Sequence, residues 1–438
     1  MKIRKLHLKN IGVFDDEEID FQECPAKDKA EIHILTGENG TGKTTILQAL
    51  ASIFDNPGVE SIEGPNAEIV LDSDYQLSNN FRKKYRRYGE FWATFSNGKR
   101  AKLQGKGDLI DYINYIEVYL YSKLISSKNP QVSDKLNFAV FAFSGYRQVE
   151  DERVQANYLP PNFNPLSQSL EFIKDYRKEG EITINQLLTN YLNDLASATF
   201  DGSVEEAKKY ELVIRAIEEF IQDVTEYEVK FVYKRQPREL KLKMYGEELD
   251  FDVLPDGLRS LISWIADLLG RVDLLKWQDD LPITDKKLIL LLDEIEVHLH
   301  PAWQRKVLPV VQKLFKNAQI FVSTHSPFVV NSVDDAWVYK LKVDEYGKAH
   351  CEEPILSEDG ISYQTVLSEI FGIDQEFGGK TQDDLDRFYK IIRNGKVINE
   401  KELTELAKSL AEQSEELNSI VQIEIRQLNR KRGTNYSV

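Results

Sequence analysis

The chain has 438 residues, 42% hydrophobic and 29% charged, the composition of an ordinary globular protein with room for more than one structural unit. A formal net charge of −16 excludes a surface that coats nucleic acid as a whole, so any contact with DNA or RNA must be a local patch. Two cysteines, Cys24 and Cys351, are too few for a disulfide framework or a zinc site, and no apolar run approaches the roughly 20 residues of a membrane span.

The opening "MKIRKLHLKN" carries charges where a signal peptide needs an apolar stretch, which predicts a cytoplasmic protein without membrane contact. Ile3, Leu6, Leu8 and Ile11 alternate roughly with polar residues, and a turn then leads to a short strand ending at Phe21. This pattern predicts a hairpin at the edge of a sheet. "EIHIL", Glu31 to Leu35, predicts a short strand that runs straight into "GENGTGKTT". Behind it Ile46, Leu47, Leu50 and Ile53 fall at helical spacing. Strand, glycine loop and helix form the setting in which Gly37-x4-Gly42-Lys43-Thr44 works as a Walker A loop. Backbone N–H groups from Gly37, Asn39, Gly40 and Gly42 can close around phosphates, and the helix N-terminus at Thr44 and Thr45 adds its positive end. Lys43 is a point charge for the β- and γ-phosphate oxygens, and the Thr44 hydroxyl can ligate Mg2+.

"EFWATFSNGKRAKLQ" predicts a hairpin turning at Asn97-Gly98. Residues 81–107 hold nine Lys/Arg against one acid, Glu90, with Tyr85, Tyr88, Phe91, Trp92 and Phe95 interleaved. Lys83, Lys84, Arg86, Arg87, Lys99 and Arg100 are candidates to follow a phosphate backbone, the aromatic residues being free to stack on bases. The same residues read equally as a solvated edge that discourages aggregation, or as a surface for an acidic protein. "FAVFAF" predicts a buried strand. In "FSGYRQVE" beyond it, Gln148 is a candidate to reach Mg2+ and water, or else a solvated loop residue.

Residues 168–225 read mainly as helix, then "YEVKFVY" and "ELKLKMYG" as strands, "LRSLISWIADLLGRV" as a helix and "KKLILLLDEIE" as a strand buried on both faces. Asp293 at its end can hold Mg2+ through water, and Glu294 can polarise an attacking water. Alternation along a strand sends the two carboxylates to opposite sides. "IFVSTHSP" places His325 at the end of another apolar strand, where it can hydrogen-bond a γ-phosphate; a satisfied core histidine is the plain alternative. Short strands follow Ser326, and helices run from about Tyr363, with "EKELTELAKSLAEQ" among them and a stop at Gly395. The end, "IEIRQLNRKRG", reads as a helix that covers the rest of the fold, docks a partner, or ends as solvated surface. Four segments are expected: 1–150, 151–250, 251–345 and 346–438.

In this order the motifs resemble the ABC-type ATPase heads of the SMC/RecF class, and above all the OLD-like ATPases of bacterial anti-phage systems. "LHLKNIGVFDDEEIDF" resembles the start of those heads, "DEIEVHLHP" their Walker B and D-loop, and "STHSP" their H-loop. The resemblance implies an α/β fold. It would comprise an ABC-type P-loop head with a mixed and parallel sheet core, an N-terminal antiparallel β subdomain, a helical insert and a helical C-terminal extension. It also implies catalysis by Lys43, Glu294 and His325, with Thr44, Asp293 and Gln148 at the metal. Where the family has an "LSxGE"-like signature, "VLPDGLRSLISWIADLL" matches at Leu254, Asp256, Gly257 and Arg259 but departs at Pro255 and Leu258. In such heads the signature binds the γ-phosphate held by the opposite subunit, a role carried here by Asp256, Gly257 and the helix amides. Pro255 removes a hydroxyl and an N–H, which leaves open slow hydrolysis, or a scaffold that binds ATP without turning it over. The resemblance further implies a homodimer joined by Mg-ATP. It would control a separately encoded nuclease, of HNH type in Septu-like or retron-associated systems, with PARIS-like systems as a further model. Residues 327–438 lack a Toprim-like acidic arrangement, so no nuclease site is expected in this chain. A RecF/SMC-like ATPase of DNA repair or replication shares every motif; a transporter motor would carry its signature much nearer the Walker A loop.

Overall fold

A computed structural model describes residues 1–25, 27–54, 90–97, 100–104, 121, 124–125, 135–145, 164–172, 184–235, 238–357, 362–373, 377–393, 400–434 and 436. Its contacts divide the chain into two units, Met1–Val366 and Leu367–Val438.

The N-terminal alternation forms β1 (Ile3–Ile11) and β2 (Phe14–Asp20), an antiparallel hairpin with β2 on the edge of its sheet. The hairpin at Asn97 supplies β4 (Glu90–Phe95) and β5 (Arg100–Gln104), and β4 pairs with the other side of β1. Four antiparallel strands thus run in the order β2-β1-β4-β5.

The main sheet is built on β3 (Glu31–Gly37), preceding α1 (Lys43–Phe54), and on β6 (Ala139–Phe143), β10 (Leu288–Leu292), β11 (Gln319–Ser323) and β12 (Trp337–Val343). These five strands are parallel, in the spatial order β12-β3-β11-β10-β6. Continuous apolar runs such as "LILLL" and "AVFAF" are what a sheet covered on both faces demands, and every residue of β6, β10 and β11 is buried. The short antiparallel strands β13 (Ala349–Cys351) and β14 (Ile355–Leu356) pair with β12, so residues just after 346 extend this sheet rather than a helical extension.

Between β6 and β10 the chain forms α2 (Ile184–Phe200) and α3 (Val204–Thr225), then an antiparallel sheet of β7 (Val229–Arg235), β8 (Arg238–Met244) and β9 (Glu247–Leu249). Next comes α4 (Asp256–Leu274), a nearly all-buried helix against α3 and β6. A buried pair within it, Arg271 to Asp267 at 2.7 Å, is completed by Arg271 donating to the carbonyls of Pro165 and Ser167. Helix α5 (Pro301–Leu314) begins after His300, whose ring accepts from Ala302 N, with Pro301 at the first helical position. Ser326 caps the short α6 (Pro327–Val330).

The second unit is a helical cluster: α7 (Gly379–Arg393), α8 (Glu400–Ala411) and α9 (Glu415–Arg432). Phe388, Leu403, Ala407, Leu410 and Val421 form its sealed core. Ser414 caps the start of α9 and Gly433, left-handed at φ 67°, ends it. Gly395, read as a stop, lies outside the described residues. No helix among the described residues is long and apolar enough to cross a membrane.

Candidate nucleotide-binding and catalytic site

Gly37, Asp293 and His325 all follow the carboxyl ends of parallel strands, the edge where open α/β sheets bind their ligands. The glycine loop leaves β3 at Gly37, whose φ of 142° only glycine adopts with ease, and a Cβ there would lie 2.3 Å from the Leu341 carbonyl oxygen. Glu38, Asn39 and Gly40 form the exposed crest, Gly42 precedes α1, and Lys43, Thr44 and Thr45 make its first turn. The buried Lys43 folds back over the loop, its Nζ donating to the carbonyls of Gly37 (2.9 Å) and Glu38 (2.8 Å). Burial holds its ammonium below the usual lysine value, against the pull of Asp293, Glu294 and Glu296.

The loop and the acidic strand end meet directly. Thr44 Oγ1 donates to Asp293 Oδ1 at 3.1 Å, and Ser323 Oγ donates to the same oxygen. Ser323 in turn accepts from the backbone N–H of Glu294 at 3.0 Å, so one buried hydroxyl fixes both acidic residues. Asp293 is buried and Glu294 half-buried. The expectation that strand alternation separates these carboxylates needs correction. β10 ends at Leu292, and Glu294 is left-handed with φ 49°, so a turn and not a pleat aims its side chain. Gly145 allows this turn: a Cβ there would lie 2.8 Å from both the Cβ and the carbonyl oxygen of Glu294.

His325 is half-buried just beyond β11. Burial, reinforced by Lys43, holds its imidazole below the usual histidine value, so the neutral ring prevails at neutral pH and can donate one hydrogen bond. Its backbone N–H donates to Glu296 Oε1 at 2.6 Å. On the other flank, Gly257 near the start of α4 lies against the His298 carbonyl, 2.5 Å from where a Cβ would stand. Asp256 is exposed and paired with Arg259, and that bond holds its carboxyl below the usual range. Pro255 is the N-cap of α4, and no side chain caps the helix.

The structure therefore brings Gly37, Asn39, Gly40, Gly42, Lys43, Thr44 and Thr45 together with Asp293, and sets Glu294 and His325 at the ends of the neighbouring strands. Asp256 and Gly257 head α4 beside the turn at His298. Gln148, Lys83, Lys84, Arg86, Arg87 and Lys99 lie outside the described residues, and Arg100 is placed as the first residue of β5. Ser323, Glu296 and Gly145 escaped the sequence reading. Ser323 alone carried a signal, as the polar end of the apolar run "IFVS". Cys24 and Cys351 are free, and burial pushes their thiols up to about 11 and about 12, which leaves them protonated and unreactive.

A glycine loop whose threonine bonds the aspartate of an Asp-Glu pair, with a histidine at the end of the strand between them, is compatible with the nucleotide site of a P-loop ATPase. A family model described as "AAA domain, putative AbiEii toxin, Type IV TA system" matches residues 32–331, and the chain belongs to that family. A second AAA-domain model matches residues 1–55. The chain is similar to "Retron Ec83 probable ATPase" of Escherichia coli, 24% identical over 94% of this chain and 82% of that one. It is similar to "Retron Vc95 probable ATPase" of Vibrio cholerae at 22% identity, over 75% of this chain and 72% of the relative. "Septu protein PtuA" of Bacillus thuringiensis is 20% identical over 85% of each. Among solved structures, an Smc head bound to the C-winged helix domain of ScpA aligns with 82% of this chain and 100% of that one, at 13% identity and a TM-score of 0.44.

Proposed function

We propose that two copies of this ATPase close face to face around Mg-ATP, and that the cycle of closure and hydrolysis holds or releases a separately encoded effector in anti-phage defence. The effector is a nuclease, of HNH type by the family resemblance. The observation that carries the ATP half is the single hydrogen-bonded group of Thr44, Asp293, Ser323 and Glu294 beside Lys43. The donors are hard oxygens, which suit Mg2+, and Thr44 and Asp293 would hold it. Among the described residues no three His, Cys, Asp or Glu side chains converge on one point. The cation would thus share its remaining positions with phosphate oxygens and water, as Mg2+ does in phosphoryl transfer. Bound there, it neutralises charge developing on the phosphates. Lys43 leaves the carbonyls of Gly37 and Glu38 for the phosphate oxygens, Glu294 takes a proton from the attacking water, and neutral His325 donates to the γ-phosphate. The defence role rests on the retron and Septu relatives. The sandwich rests on the signature-like start of α4 at Gly257.

Replacing Glu294 by Gln is expected to leave ATP binding intact and to lower turnover by about 10²-fold or more. The trapped nucleotide should hold the dimer, measured by light scattering with and without ATP. A chain that stays monomeric at saturating ATP sinks the sandwich. Equal, near-zero turnover in parent and variant would instead favour an ATP-binding scaffold, the reading left open by Pro255. Copurification of a nuclease with the tagged chain tests the effector.

A further inference from the structure

The turn between β10 and α5, residues 296–299, touches two elements at once. Its His298 carbonyl lies against Gly257 at the head of α4, and its other face is tied to the strand end that carries His325. Two side chains make that tie. Glu296 Oε1 accepts from His325 N at 2.6 Å. Gln304, one turn into α5, donates through Nε2 to the Leu299 carbonyl at 2.9 Å, while its Oε1 accepts from Ser326 Oγ at 2.6 Å. Glu296 holds the backbone N–H of His325 itself, and Gln304 holds the hydroxyl of Ser326, the next residue.

We infer that Glu296 and Gln304 are positioning residues, a two-point clamp through which a displacement of the 296–299 turn at Gly257 moves His325. The inference rests on the reading of His325 as the group that meets the γ-phosphate. On that reading, α4 is the element a second copy engages. A rigid clamp converts its engagement into placement of the histidine, so hydrolysis follows closure. Hydrogen-bond networks between packed elements can carry coupling of this kind, and these bonds connect the turn at His298 to the strand end at His325.

The test uses the full chain and two kinds of measurement. Glu296→Ala and Gln304→Ala are expected to lower kcat about tenfold with KM for ATP changed less than about twofold, because the histidine is displaced while the binding loop is not. Glu296→Gln keeps an oxygen that accepts from His325 N, and is expected to restore most of the turnover. Amide hydrogen exchange in 319–331, measured without nucleotide, should quicken in Glu296→Ala and not in Glu296→Gln. If Glu296→Ala fails to fold, Gln304→Glu decides. It keeps the acceptor for Ser326 but loses the donor to Leu299, and should lose turnover at an unchanged KM. Unchanged kcat in the alanine variants, or a rise in KM matching the fall in kcat, overturns the clamp. A parent chain without turnover would overturn the hydrolysis reading alone, since the exchange measurement still reports whether Glu296 holds His325.

Discussion

Glu294 sits in a left-handed turn packed closely against Gly145. Gly145→Ala would place a methyl 2.8 Å from the Glu294 Cβ and carbonyl, so the turn must yield. ATP should still bind, because Lys43 and the loop after β3 are untouched. Turnover should fall by up to about 10²-fold, since an ångström of displacement at a catalytic group can cost that much. Measuring kcat beside nucleotide affinity checks this, and a variant with parental kcat would show that Glu294 tolerates the shift. At this scale motif order sufficed to choose Gly37 through Thr45, Asp293, Glu294 and His325 as candidates, and the structure sets them at the ends of neighbouring parallel strands. It did not reach Gly145, Glu296, Ser323 and Gln304, because their roles exist only once β6, β10 and β11 lie side by side. The alternation rule also failed at Glu294, since the strand had already ended.

Among the elements, β3 shows what a strand pattern conceals. "EIHIL" reads correctly as a buried strand, yet it carries a charged residue inside the fold. Glu31 Oε2 accepts from Lys2 at 2.9 Å and Oε1 from His33 Nε2 at 2.9 Å and Gln319 Nε2 at 2.9 Å, and Arg4 grips both oxygens. Burial opposes its charge, but the His33, Arg4 and Lys2 hydrogen bonds outweigh it and hold the carboxyl well below the usual range. His33 is wholly buried, which holds it below its ordinary 6.5; its Nδ1 accepts from the Tyr339 hydroxyl. The partners come from β1, β11 and β12, which a reading of "EIHIL" alone cannot supply. The signs of the two shifts agree. The unfolded histidine gains a proton as pH falls through 6.5 while the buried one resists, so stability begins to drop there. Glu31 contributes its full share above its ordinary 4.5 and loses it as pH falls further. Urea midpoints should therefore decline below pH 6.5 and more steeply below 4.5. Glu31→Gln should cost about 1–3 kcal/mol at neutral pH, because it takes the charged acceptor away from the buried His33 and Gln319 donors and from the partly buried Arg4. A midpoint that is flat from pH 7 to 4 would contradict the network.

For the whole molecule, the division at Val366 and Leu367 separates the unit that holds the nucleotide loop from a helical one with its own sealed core. The helices of the second unit were legible from apolar spacing in "EKELTELAKSLAEQ". The helical start near Tyr363 lies close to the division at Val366, whereas the segment bound at 346 falls inside the sheet, because β13 and β14 still pair with β12. Two cores imply two stabilities. Leu403 is fully buried in the second core, so Leu403→Ala should weaken that unit by about 2–5 kcal/mol. Faster amide exchange should then appear in α7, α8 and α9 while kcat and ATP affinity stay at parental values. ATP at about a hundredfold excess over its Kd should add about 2.7 kcal/mol to the first unit and leave the second unmoved. If the effector docks on the helical unit, Leu403→Ala should also lose the copurifying protein without losing ATPase activity. A fall in turnover that tracks the loss of helical protection would instead show that the two units unfold as one body and that catalysis depends on both.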